Sequence, residues 1–119
     1  MEEKVTIVVA DLIGSTLCIT AEDGQIIYEK IVELLKLNKS VCVSFERITT
    51  IISLFLNNAI GALYKDHNDS DLANLTYAGL SEEDKALLSR VIENAKKYYA
   101  APKEFDDALA KEINDNDEE

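Results

Sequence analysis

A single histidine limits acid–base and metal chemistry in this chain of 119 residues. His67 lies in Asp66-His-Asn-Asp-Ser-Asp71, a run that offers ligand-type side chains. Its spacing lacks the glycine and the distal glutamate of a calcium loop, so it reads as a solvated turn. A serine or cysteine nucleophile could look only to His67 for a base. Cys18 and Cys42 have no CxxC spacing and sit among apolar neighbours, in TLCIT and SVCVSF. They read as reduced, buried thiols. Ile13-Gly14-Ser15 falls far short of a phosphate-binding loop. Glu82 and Glu83 stand where a helix dipole favours acids, which explains them without catalysis. The expectation is a protein that is not an enzyme and carries neither cofactor nor metal.

The hydroxyl residues before a buried helix are more informative. Val41 to Gly61 reads as a short apolar strand, a polar connector and a helix that is apolar around most of its circumference. Unpaired N–H groups and a positive dipole meet at such a helix start. A Ser or Thr there is placed to bind or to become a phosphate. Ser53, Thr49 and Thr50 are the candidates, with helix capping by Ser53 as the plainer reading. Arg47 and Asn57, together with Glu46, complete a polar rim beside apolar side chains, the composition of an interaction surface.

The elements that must position these residues follow from the pattern. Lys4–Ala10 is β-branched and predicts a strand; Thr16–Thr20 predicts a second, short one. Thr20 and Asp23 form a near capping box, and Ile27, Ile31, Leu34 and Leu35 recur at helical spacing, which predicts a helix over 21–37. Ser40–Phe45 predicts a buried strand, so strand, helix and strand make a crossover unit with parallel pairing in a small mixed sheet. A second helix is predicted over 53–65, with Gly61 inside it for close packing. Leu72–Tyr77 is a weaker strand. Ser81 opens a helix through Tyr99 whose inner face is Leu87, Leu88, Val91, Ile92, Ala95 and Tyr98, and Pro102 ends it.

Composition bounds the partners. The chain is 47% hydrophobic and 29% charged, with four glycines and one proline. That favours one soluble domain of a few long elements over a many-turned β-sandwich. The net charge of −11 is uneven: residues 103–119 contribute −6 and the rest −5. This predicts a folded domain over 1–102 and an acidic tail over 103–119. In the tail, Phe105, Leu109 and Ile113 are expected to form an apolar stripe on a weak helix, and Asn114–Glu119 to be disordered. The acidity argues against nucleic acid or an anionic membrane as partner. With neither a signal-peptide pattern nor a span of about 18 apolar residues, the expected location is cytoplasmic.

Three blocks, TAEDGQIIYEKIVELLKLNKSVCVSF, IISLFLNNAIGAL and LTYAGLSEEDKALLSRVIENAKKYY, carry a resemblance over about residues 4–100. In that order they resemble the STAS-like domain family of unknown function, distant relatives of the bacterial anti-sigma factor antagonists. The resemblance implies an α/β fold of about four strands flanked by three to four helices. It also implies a regulatory, signalling role through protein–protein interaction, with a kinase-type ATPase of the anti-sigma or histidine-kinase superfamily as partner. In the antagonists a serine at the helix start, inside Asp-Ser-Ser-Gly, is phosphorylated. That motif falls on Ile52-Ser53-Leu54-Phe55, where the acceptor position is Leu54, which has no hydroxyl. The partner-binding surface carries over and the phosphorylation does not. Rival readings are an anion or nucleotide sensor in the cleft before residue 53, and a self-assembling structural subunit.

Overall fold

The computed structural model describes residues 3–100. The expected tail stripe, Pro102 and the boundary near residue 102 lie outside them. The elements are β1 (Lys4–Val8), α1 (Val9–Ile13), β2 (Leu17–Cys18), α2 (Ala21–Lys36), β3 (Ser40–Ser44), β4 (Thr50–Ile51), α3 (Ser53–Ala59), a 3-10 helix (Gly61–Lys65), β5 (Leu75–Ala78) and α4 (Glu82–Ala100).

The α/β class and the strand–helix–strand crossover are as the pattern predicts. Among the described residues the strands form two sheets, β1-β3-β5 and β2-β4, and every pairing is parallel. The small mixed sheet expected from the sequence is therefore divided, and wholly parallel. The alternation of β3 shows how the larger sheet is covered. Val41 and Val43 are fully buried on the side that also carries Ile7 and Leu75, whereas Thr6 and Thr76, which flank Cys42 in one cross-strand row, are exposed. Cys42 is consequently half-buried, a correction to the expectation of two buried thiols; Cys18 is fully buried.

Thr20 caps α2 as its spacing predicts, its side chain accepting from the Asp23 N–H at 3.0 Å. Ile27, Ile31 and Leu34 are buried. Ser81 does the same for α4, accepting from the Asp84 N–H at 3.1 Å. Leu88 and Val91 are buried in α4, while Tyr98, expected on the inner face, is exposed and stacks edge-on against Tyr99.

Two segments depart from the pattern. The run Lys4–Ala10 is a strand only to Val8; Val9 and Ala10 begin α1, which ends at Gly14 in the left-handed region at φ 69°. The helix predicted over 53–65 breaks at fully buried Ile60, where φ −114° leaves the helical range and the chain tightens into the 3-10 helix. Gly61 is not where close packing demands a glycine. An added Cβ there would lie 3.5 Å from Val91 and 3.6 Å from Ala95, ordinary contact distances. The demanding glycine is Gly24 on α2, where a Cβ would come within 2.7 Å of the Phe55 carbonyl oxygen and 2.9 Å of Asn58. α2 thus lies directly on α3, and Phe55, Leu56, Ala59, Ile27 and Ile31 fill the junction with no exposure.

Candidate partner-binding surface

β3 delivers the chain into the connector at Phe45, whose N–H bonds the Ala78 carbonyl at 2.8 Å. Gly79, with φ 78°, makes room for the next residue: a Cβ on it would stand 2.7 Å from the Glu46 nitrogen. Arg47 then adopts the left-handed region at φ 70°, uncommon for a side chain of its size. Its guanidinium reaches Asp11 of α1, Nη2 to Oδ1 2.9 Å, and both groups are exposed. Such a pair contributes at most about 1 kcal/mol, so it orients the turn more than it stabilises the fold.

Beyond the turn the connector becomes β4. The Thr49 N–H donates to the Thr16 carbonyl at 2.8 Å and its hydroxyl to the same oxygen at 3.2 Å. The Ile52 N–H donates to the Cys18 carbonyl at 3.1 Å. Leu17 pairs with Thr50 and Cys18 with Ile51. Strand alternation then divides the small sheet into two faces. Cys18 and Ile51 point into the core, and burial, helped by Asp23 and Asp84, pushes the Cys18 thiol up to about 12. Leu17, Ile19, Thr50 and Ile52 belong to the other face, and the three apolar ones are about two-fifths exposed at 40%, 38% and 38%. Leu54, in the first turn of α3, adds a side chain 48% exposed.

The structure brings the sequence candidates together on this side. Arg47, Thr49, Thr50, Ser53 and Asn57 are all exposed along the connector and the outer side of α3. Ser53 does not cap the helix. It is the first helical residue, and the cap position is held by Ile52, which makes no side-chain hydrogen bond to the helix. Asn57 is exposed, whereas its neighbour Asn58 is half-buried and donates to the Leu54 carbonyl at 2.8 Å. Sequence reasoning missed the apolar contribution of Leu17, Ile19 and Leu54, since short apolar runs read first as core. No sequence signal marked them, because Leu17, Cys18 and Ile19 are all apolar and alternate only in exposure.

His67 stands apart from this surface. Its Nδ1 lies 3.0 Å from the Leu63 carbonyl, which makes that nitrogen the donor. Asn68 and Asp71 close their own turn by reciprocal hydrogen bonds of 2.8 and 3.1 Å. Among the described residues no group of three or more His, Cys, Asp or Glu side chains is placed to hold a metal ion. Nor is any helix there long and apolar enough to cross a membrane.

The model of the STAS-like domain of unknown function (DUF4325) matches residues 23–85, from the first turn of α2 to the first turn of α4. No curated protein and no solved structure matches the chain. The family match covers more than half of the sequence and contains β3, the connector, β4 and α3, the segments that build most of the exposed surface. This chain belongs to the STAS-like domain family of unknown function.

Proposed function

We propose that the protein is a non-enzymatic regulatory module that docks on a kinase-type ATPase of the anti-sigma or histidine-kinase superfamily, acting in the cytoplasm. The contact would be the exposed face of β2 and β4 with the start of α3. The observation that carries this reading is the exposure of Leu17, Ile19, Ile52 and Leu54 beside the polar rim of Arg47, Thr49, Thr50, Ser53 and Asn57. An apolar centre with a polar margin is the composition of a protein interface. Docking would shift the partner between states by binding one of them more tightly. The partner class comes from the kinship with the anti-sigma factor antagonists. Phosphorylation is not part of the proposal, because Leu54 occupies the antagonists' acceptor position.

Affinity capture from the source cell tests this with tagged wild type, Ser53→Asp and His67→Ala. Wild type and His67→Ala should retain an ATPase of that superfamily, and Ser53→Asp should retain at least about tenfold less, an effect of ~1.4 kcal/mol. Equal retention by all three removes this surface from the mechanism. Absence of any such ATPase removes the partner class.

A further inference from the structure

The geometry points to a second contact, independent of the first: we infer that two copies of this chain join edge to edge through β1. β1 is the end strand of the sheet β1-β3-β5. The Ser40 N–H donates to the Glu3 carbonyl at 2.9 Å, with Lys4 opposite Ser40 and Thr6 opposite Cys42. In a parallel ladder of that register, Glu3, Val5 and Ile7 turn their main-chain groups toward β3. Lys4, Thr6 and Val8 turn theirs to the outer edge, where no strand pairs with β1 among the described residues.

That edge has the character of a template. Val5-Thr-Ile-Val8 is β-branched throughout, with no proline and no bulge, and Lys4 is its only charge. Edges so constituted pair with other strands unless something covers them. A groove of about 390 Å³ runs along the strand, bounded by Val5, Ile7, Val8, Leu12 and Lys30. Leu12 is 40% exposed at its wall.

A second copy fits this edge better than an unrelated strand, because the edge complements itself. The outward-facing main-chain groups of Lys4, Thr6 and Val8 are evenly spaced about Thr6. A two-fold axis there sets Thr6 against its counterpart, exchanging both main-chain hydrogen bonds. It also sets each Val8 N–H against the other copy's Lys4 carbonyl. Exposed Lys4 at one end of the strand then meets the end of the other copy that carries Asp11, whose Oδ1 already pairs with Arg47, so that Lys4 adds a second cation to that carboxylate. On α2, which contributes Lys30 to the groove, exposed Ile26 lies one turn before Lys30, and Lys30 pairs with Glu33 at 3.5 Å. The axis brings this side of α2 toward its own copy, so opposite charges can exchange partners across it while Ile26 and Leu12 lose water. The product is one continuous sheet of two β5-β3-β1 halves, the isologous form of strand addition.

Sedimentation of the full chain tests the inference together with amide hydrogen exchange. A monomer weighs 13.2 kDa, and the wild type should sediment at twice that mass at concentrations of ~100 µM. In the dimer the Thr6 and Val8 amides should be protected. Thr6→Pro removes an edge donor without touching the β3 ladder and should raise the dissociation constant at least about tenfold. Leu12→Lys, on α1, should do the same and serves if the proline variant fails to fold. A wild-type monomer at that concentration overturns the proposal. So does a dimer in which the Thr6 and Val8 amides exchange freely, or one that Leu12→Lys leaves intact.

Discussion

α3 has two sides that do opposite things. Its inner side, Phe55, Leu56 and Ala59, is without exposure and lies on α2 at Gly24, whereas Leu54, Asn57 and the preceding Ile52 face water. The inner side is fixed by volume, where a single methyl has no space. The outer side carries Ile52 and Leu54 at 38% and 48% exposure beside Asn57, so changes there should cost the fold little. The difference separates residues that build the domain from those on which the proposed docking rests.

The largest effect should come from emptying the inner side. Phe55→Ala should cost about 3–5 kcal/mol in denaturant unfolding. A loss under about 1 kcal/mol would mean that the α2–α3 junction is loosely packed. The two helical glycines sharpen the contrast. Gly24→Ala forces a Cβ against the Phe55 carbonyl and should cost about 1–3 kcal/mol. Gly61→Ala meets ordinary contacts and should stabilise by about 0.4–1 kcal/mol through the unfolded chain. Equal shifts at both positions would break the distinction.

The thiols give a smaller test of the same boundary. Cys42 should react with a thiol reagent in the native state, and Cys18 only on unfolding. Burial raises the Cys18 pKa from 9.0 to about 12, so the folded state holds this proton more tightly than the unfolded chain. The stability linked to it is therefore full below pH 9 and lost as pH rises toward 12. Cys18→Ser, which keeps the size and does not titrate there, should flatten that alkaline decline. An unchanged decline would remove Cys18 as its source.

Much of the fold was legible because it is local. The Thr20 cap, the Ile27/Ile31/Leu34 stripe and the Ser81 cap are short-range patterns whose physics does not depend on distant partners. The strand–helix–strand crossover followed from them. What could not be read depends on tertiary contact. Val9 and Ala10 suit a strand as well as the helix they begin, and apolar periodicity alone does not separate the two. The break at buried Ile60 lies within a run whose sequence continues a helix. Gly24 looked no different from Gly61 until Phe55 was placed beside it. Of the candidate surface, the polar residues were visible from the connector's position before a helix. Its apolar part was not, because Leu17 and Ile19 reach it through strand pairing with a segment more than thirty residues away.

The proposed role of the outer side of α3 is tested most directly by titrating the ATPase that affinity capture should retain into wild type and Leu54→Glu, with the thermal midpoint of each recorded. Leu54 is 48% exposed, so the substitution should move stability by no more than about 0.5 kcal/mol. Binding should weaken at least about tenfold with that midpoint unchanged. Equal affinity in the two proteins would contradict the claim that this face meets the partner.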